Sequence, residues 1–357
     1  MLSIKKVARK KITASLLVII IAMAIAGCGG GASGEVYEGA ITHVSGDVMI
    51  YTSMFEDIIE MFIPVMERTF PYVNIDFFYG GTGAIQSRIA AEMVAGQLGA
   101  DMLMVADPSY ALELRSLGKL HPFRSPEAPY LAFDYCPDGY WYPVRISNMV
   151  LAYNPEMYSR DQIPTTMYGF AFDQRVRGAI SKANPLTSGT ALVSIVALYH
   201  RYGIDYYAAL GEQHVMVESG AVARTKLQTG ECMVIMILEE SILAARENDG
   251  SALTVIYPDD GTIVIPSPVM IINDDWSANQ NTEAAEAIAN WFLSMAGQEY
   301  MVRGWMHSAR ADFPHPPFDA APTAEIRANQ IPVPWERAAF YRDWYRERFL
   351  DNVMMPD

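Results

Sequence analysis

Apolar residues follow two alternating periods from residue 46 onward. Residues 46–51 read as a strand running into Thr52 and Ser53. Residues 55–70 change to helical spacing, with Ile58, Ile59, Phe62, Met66 and Phe70 on one face. The next predicted strand, 73–77, is closed by Gly80-Gly81-Thr82-Gly83, and a helix follows over 84–96. A third strand, 101–105, ends at Ala106-Asp107-Pro108-Ser109 before a helix over 110–117. Strands and helices taken in turn predict an α/β lobe with a largely parallel sheet.

A long strand over 142–153 leaves that lobe. A second α/β unit follows, with helices at 191–202, 205–211, 220–229 and 239–248 and a strand at 232–237. Two more strands, 254–257 and 263–272, come next, and the second can carry the chain back to the first lobe. Helices are predicted at 282–295 and 299–305. The Pro-rich stretch 313–334 shows no periodicity, and a last helix covers 335–349. The expected fold class is α/β: two α/β lobes joined by crossing hinge strands around a cleft.

The start of the chain follows a different rule. Lys5, Lys6, Arg9, Lys10 and Lys11 precede an uncharged apolar run over 14–26, the arrangement of an export signal. The run is short for a membrane span, which needs about 20 residues. It ends in Ile25-Ala26-Gly27-Cys28, which resembles the bacterial lipobox, in which the cysteine is diacylated. Residues 1–27 are therefore expected to be a lipoprotein signal peptide, Cys28 the lipidated residue, and 28–44 a Gly-rich tether. The expected division beyond it is 45–147 for the first part of lobe one and 148–262 for lobe two. Residues 263–357 are the return to lobe one plus the C-terminal helices.

Removing the leader, which holds five basic residues and no acid, takes the formal charge from −15 to −20. Such a surface excludes nucleic acid as a partner, and any anion site must be built locally against the global field. Beyond Cys28 only Cys136, in a turn, and Cys232, in an apolar strand, remain, and no Cys/His cluster has zinc spacing. No metal site and no cofactor is expected. With no G-x-S-x-G, no H-E-x-x-H and six histidines, nothing marks a nucleophile–base pair, and no enzyme activity is expected.

Candidate chemistry gathers at turns that precede helices: Ser53, Thr82 with Gly83, Asp107, Ser188-Gly189-Thr190, and Ser219. A helix start exposes unpaired N–H groups and the positive end of the dipole, which favour anions. Any one such turn is also an ordinary cap, and for Asp107 capping is the simpler reading. Arg145, on the first crossing strand, is either an exposed hinge charge or a cation facing the cleft. Glu239 and Glu240 follow an apolar strand; they either load the next helix's N-terminus or accept hydrogen bonds from a ligand's polar end. Tyr206-Tyr207 lies inside a predicted helix and reads as packing.

Taken together, these segments resemble bacterial extracellular solute-binding proteins of family 1, in the ferric-iron and organophosphate branch of ABC importer receptors. The resemblance rests on Val48-Met-Ile-Tyr-Thr-Ser53, on Gly80 to Glu92, on Ala100-Asp-Met-Leu-Met, and on Thr187-Ser-Gly-Thr-Ala191. It continues through Glu239-Glu240, Val255 to Thr262, and Ala284 to Gln298. It implies the two-lobed periplasmic-binding-protein fold, closing on one solute. Ferric members place adjacent tyrosines where this chain has Glu239-Glu240-Ser241, so the resemblance points to a sugar phosphate or another organophosphate or phosphonate. The expected partners are that small anionic solute, ABC permease subunits, and the membrane through the lipid, with the chain itself monomeric. A ferric-iron receptor and a sensory lipoprotein feeding a histidine kinase are the alternatives.

Overall fold

The structure is a computed structural model that describes residues 39–317 and 319–355. The leader, Cys28 and most of the tether lie outside the described residues. Ten strands are present among them: β1 Gly46–Thr52, β2 Val73–Tyr79, β3 Met102–Met104, β4 Leu120–His121, β5 Tyr142–Tyr153, β6 Ile180–Ala183, β7 Met216–Glu218, β8 Val234–Leu238, β9 Thr254–Ile256 and β10 Ile263–Ile272. They pair in the order β2-β1-β3-β10-β5-β8-β6-β7, with β4 added on β10 and β9 on β5. Pairing is parallel at the two outer ends, among β2, β1 and β3 and among β8, β6 and β7. It is antiparallel wherever β5 or β10 takes part.

Those two long strands divide the core. On β5, Tyr142 and Val144 belong to one apolar cluster with Phe62, Trp291 and Phe292, whereas Met149, Leu151 and Tyr153 belong to another with Phe170, Tyr207 and Leu210. On β10 the change falls between Ile265 and Val269, at Pro266-Ser267-Pro268, where the register with β5 shifts. Neither proline can donate to the ladder, so the sheet is loosest where the chain passes from one lobe to the other. All twelve residues of β5 are buried, which is why the sequence shows an unbroken run there instead of alternation.

Most helices form where apolar spacing places them. Helix Glu56–Thr69 buries Ile58, Ile59, Phe62, Val65 and Met66 and carries Glu56 and Asp57 in its first turn, where the dipole favours acids. The expected helices at 282–295 and 299–305 are instead Thr282–Leu293 and Met295–Arg303. Ser294 is extended, ends the first and caps the second by accepting from Gly297 N–H at 3.4 Å. The expected last helix is broken at Tyr341 into Trp335–Phe340 and Arg342–Phe349. Ala338, Tyr345, Phe349 and Val353 pack into the second lobe's core. The aperiodic stretch holds one short helix, Thr323–Ala328.

Cys136 and Cys232 are both free and buried, in separate apolar clusters. Among the described residues, no helix is long and apolar enough to cross a membrane.

Candidate functional site

Arg145 stands where β5 passes between the two cores, and it is only 3% exposed. Its Nη2 donates to Ser53 Oγ at 3.3 Å, and its Nη1 lies 3.4 Å from the Met306 sulfur. Its Nε has no hydrogen-bond partner among the described residues, and none of the ion pairs among them includes it. Burial pulls the guanidinium down to about 10, opposed by nearby Glu240. A buried cation held by one hydroxyl and one sulfur is costly to the empty protein. An anion would satisfy it with charge-assisted hydrogen bonds.

Arg145 forms part of the floor of a cavity of about 870 Å³ between the lobes, with Ser147 and Met149 beside it. Five helices begin at its walls: Glu56–Thr69 and Thr82–Ala95 from lobe one, and Gly189–Tyr202, Gly220–Thr229 and Glu239–Asp249 from lobe two. Ser188 and Ser219 cap Gly189–Tyr202 and Gly220–Thr229, accepting from Ala191 N–H and Val222 N–H, each at 3.2 Å. Thr190 Oγ1 sits 3.1 Å from Ser188 Oγ. Open N–H groups and hydroxyls thus converge with a cation.

The lobes touch at the mouth of this cavity. The Gly83 N–H donates to the Thr187 carbonyl at 3.3 Å. A Cβ on Gly189 would come within 2.8 Å of Thr82 Cβ and Cγ2, so glycine is what lets the two turns approach.

Glu240 closes the floor. Its Oε1 accepts from the Ser147 hydroxyl at 2.7 Å, and burial pushes its carboxyl up to about 6. On the lobe-one wall, Tyr79 is half-exposed. Burial first, then nearby Glu56 and Asp57, push its phenol upward, while Arg145 pulls it down.

A family model described as bacterial extracellular solute-binding protein matches residues 99–339. The chain belongs to that family. Its members are binding proteins and not enzymes. No curated protein sequence matches the chain. Among solved structures, the periplasmic binding protein AfuA from Actinobacillus pleuropneumoniae, with exogenous fructose 6-phosphate bound, is 21% identical. That match covers 87% of this chain and 99% of AfuA, with a TM-score of 0.74. Iron-bound HitA from Pseudomonas aeruginosa is 17% identical over 85% of this chain and 99% of its own, also at 0.74. The iron- and citrate-bound protein IdiA (FutA) from Trichodesmium is 14% identical over 87% of this chain and 100% of its own, at 0.67. At these identities the likeness is one of fold, and that fold is the two-lobed α/β fold expected from the sequence.

Within this solute-binding protein, Ser53, Thr82, Arg145, Ser188, Gly189, Thr190, Ser219 and Glu240 are brought to one cavity. Three other expected site residues are not. Gly83 spends its N–H on Thr187 and forms an interlobe contact. Asp107 is fully buried as a cap, accepting from Ser109 N–H at 3.0 Å and from Gln86 Nε2 at 3.1 Å. Glu239 points away into a buried network: Asn148 Nδ2 donates to it at 3.0 Å, His307 Nε2 lies 3.0 Å away, and the Tyr257 hydroxyl donates to its other oxygen. Tyr206 and Tyr207 are fully buried, and their hydroxyls donate to the carbonyls of Met167 and Ile195. Burial holds both phenols well above their ordinary range.

Sequence reasoning missed Phe55, Tyr79 and Trp305, which also line the cavity. Phe55 and Tyr79 read as the edges of a helix and a strand. Trp305 lies one residue past Gly304 and gave no signal at all.

Proposed function

We propose that the chain is the lipid-anchored, extracytoplasmic solute receptor of an ABC importer, and that it closes on a small organic anion such as an organophosphate or phosphonate. The observation that carries this reading is Arg145: a buried guanidinium with an unpartnered Nε, on the floor of a cavity where several helix N-termini open. The solute's anion is held there by Arg145, Ser53 and the turn Ser188-Gly189-Thr190, while Glu240 meets a polar group farther along the solute. Lobe one is assigned to 45–147 and the return from 263, lobe two to 148–262, and Cys28 carries the lipid. Solute and permease are the working partners, and the receptor acts as a monomer.

The solved relatives include one with fructose 6-phosphate bound and one with iron. Two features favour the organic anion. Among the described residues, no group of three or more His, Cys, Asp or Glu is placed to hold a metal ion. The adjacent tyrosines are locked in the core.

The test is a thermal-shift panel on the chain from Gly29 onward, against sugar phosphates, phosphonates, inorganic phosphate and ferric citrate. A solute in large excess over its Kd adds roughly 3–4 kcal/mol of apparent stability. A response to at least one phosphorus anion is expected. A response to ferric citrate alone overturns the reading.

A further inference from the structure

Around the start of helix Glu56–Thr69 the lining has a different character. Phe55 is 40% exposed and Tyr79 37% exposed, although both are large apolar side chains, and both face the cavity together with Trp305. Trp305 is placed there by an unusual backbone. Helix Met295–Arg303 ends with Trp305 N–H donating to Val302 O at 3.0 Å and Met306 N–H to Met301 O at 3.1 Å. That is the Schellman ending, whose left-handed position belongs to glycine, yet Trp305 occupies it at φ 64° while Gly304 precedes it. A bulky residue in a conformation that favours glycine is held against strain, and the residue so held lines the cavity.

Two acids accompany these rings. Glu56 and Asp57 line the same cavity, and neither forms an ion pair among the described residues. Both push the Tyr79 phenol upward, whereas Arg145 pulls it down. The charged side chains lining the cavity are Glu56, Asp57, Glu218 and Glu240 against Arg145, Arg224 and Arg303. Such a lining does not suit a bare polyanion. It has two arginines whose buried Nε atoms lack a partner among the described residues, Arg145 at the floor and Arg224, and two carboxylates outside any ion pair beside aromatic rings.

We propose that the solute is a zwitterion, with a phosphate or phosphonate group at Arg145 and a substituted ammonium group against Phe55, Tyr79 and Trp305, facing Glu56 and Asp57. This rests on the anion reading of the cleft and narrows it. Ring faces attract organic cations, and alkylated ammonium groups most of all, because their methyl groups are apolar and their hydration is weak. A free ammonium would be served by carboxylates alone, and a sugar body would leave the cationic side of the recognition unused.

Titration calorimetry of the chain from Gly29 onward, at pH 7 and fixed salt, separates the cases. The probes are phosphocholine, inorganic phosphate, choline and glucose 6-phosphate. Phosphocholine is expected to bind at least 10-fold more tightly than each of the other three. Trp305→Gly, which suits the left-handed backbone, is expected to keep or raise the melting temperature. It should weaken phosphocholine at least 10-fold and inorganic phosphate less than 3-fold, and Tyr79→Leu should follow the same split. Glucose 6-phosphate or inorganic phosphate binding as tightly as phosphocholine overturns the zwitterion and leaves the anion site standing. If none of the three phosphorus probes binds, the anion site itself is overturned.

Discussion

Gly83 and Thr187 join the lobes: the Gly83 N–H donates to the Thr187 carbonyl at 3.3 Å, across the mouth of the cleft. Beside it, Gly189 packs against Thr82 with no room for a side chain. The Gly-rich turn after β2 is therefore a contact between the lobes. Gly189→Val places methyl groups where Thr82 sits and keeps the lobes apart. The solute-induced fall in radius of gyration, read by small-angle scattering, is expected to vanish, with affinity lowered at least 10-fold.

Removing the floor cation separates binding from stability. Arg145→Met deletes a buried charge with one weak hydroxyl partner and keeps an apolar stem in its place. The empty protein is expected to gain about 1–2 kcal/mol in denaturant unfolding, while anion affinity falls by about two orders of magnitude. A loss of stability would mean that Arg145 supports the fold.

Glu240 makes the empty protein less stable as pH rises out of the mildly acid range. Its folded carboxyl is raised to about 6 by burial, despite the Ser147 hydrogen bond and the nearby Arg145, with Glu239 adding to the rise. A raised carboxyl contributes stability that is complete below its unfolded value and is lost as pH rises through about 6. The shift corresponds to roughly 2 kcal/mol. Urea unfolding between pH 4.5 and 7 should show that decline, and Glu240→Gln should flatten it.

The C-terminal helix Arg342–Phe349 straps the lobes together. Tyr345 and Phe349 are embedded in lobe two. From the same helix Arg342 pairs with Glu113, donates to Ser109 Oγ at 3.2 Å and lies 3.5 Å from Asp107, while Arg346 donates to Gln86 at 3.2 Å, all in lobe one. Arg342→Ala releases one end of the strap and leaves partly buried acids without their cation. The empty receptor should open, with a larger radius of gyration, and apparent affinity should drop several-fold as the closed population falls.

The fold was legible because its controlling elements are long. The buried runs of β5, of the crossing β10 and of the helix Gly189–Tyr202 are long apolar stretches that stand out in the sequence even without alternation. β6, β7 and helix Thr323–Ala328 are three to six residues long, too short for any period to show. At the cleft, hydroxyls before helix starts could be read, and so could Arg145 as one of two alternatives. Burial decides between those alternatives, and burial is a tertiary property. Glu239 and Glu240 look alike in sequence, but neighbours on a helix point about 100° apart, so one enters the cleft and its neighbour a buried network. Trp305 was illegible because a Gly-Trp pair gives no hint that the tryptophan takes the left-handed position.

The most direct measurement of anion capture is calorimetric. Wild type and Arg145→Met are titrated with the phosphorus-bearing solute that stabilises wild type most, circular dichroism confirming that both are folded. Binding by wild type with a loss of about 100-fold in the variant is the expected result. Equal affinities in two folded proteins would contradict an anion site built on Arg145.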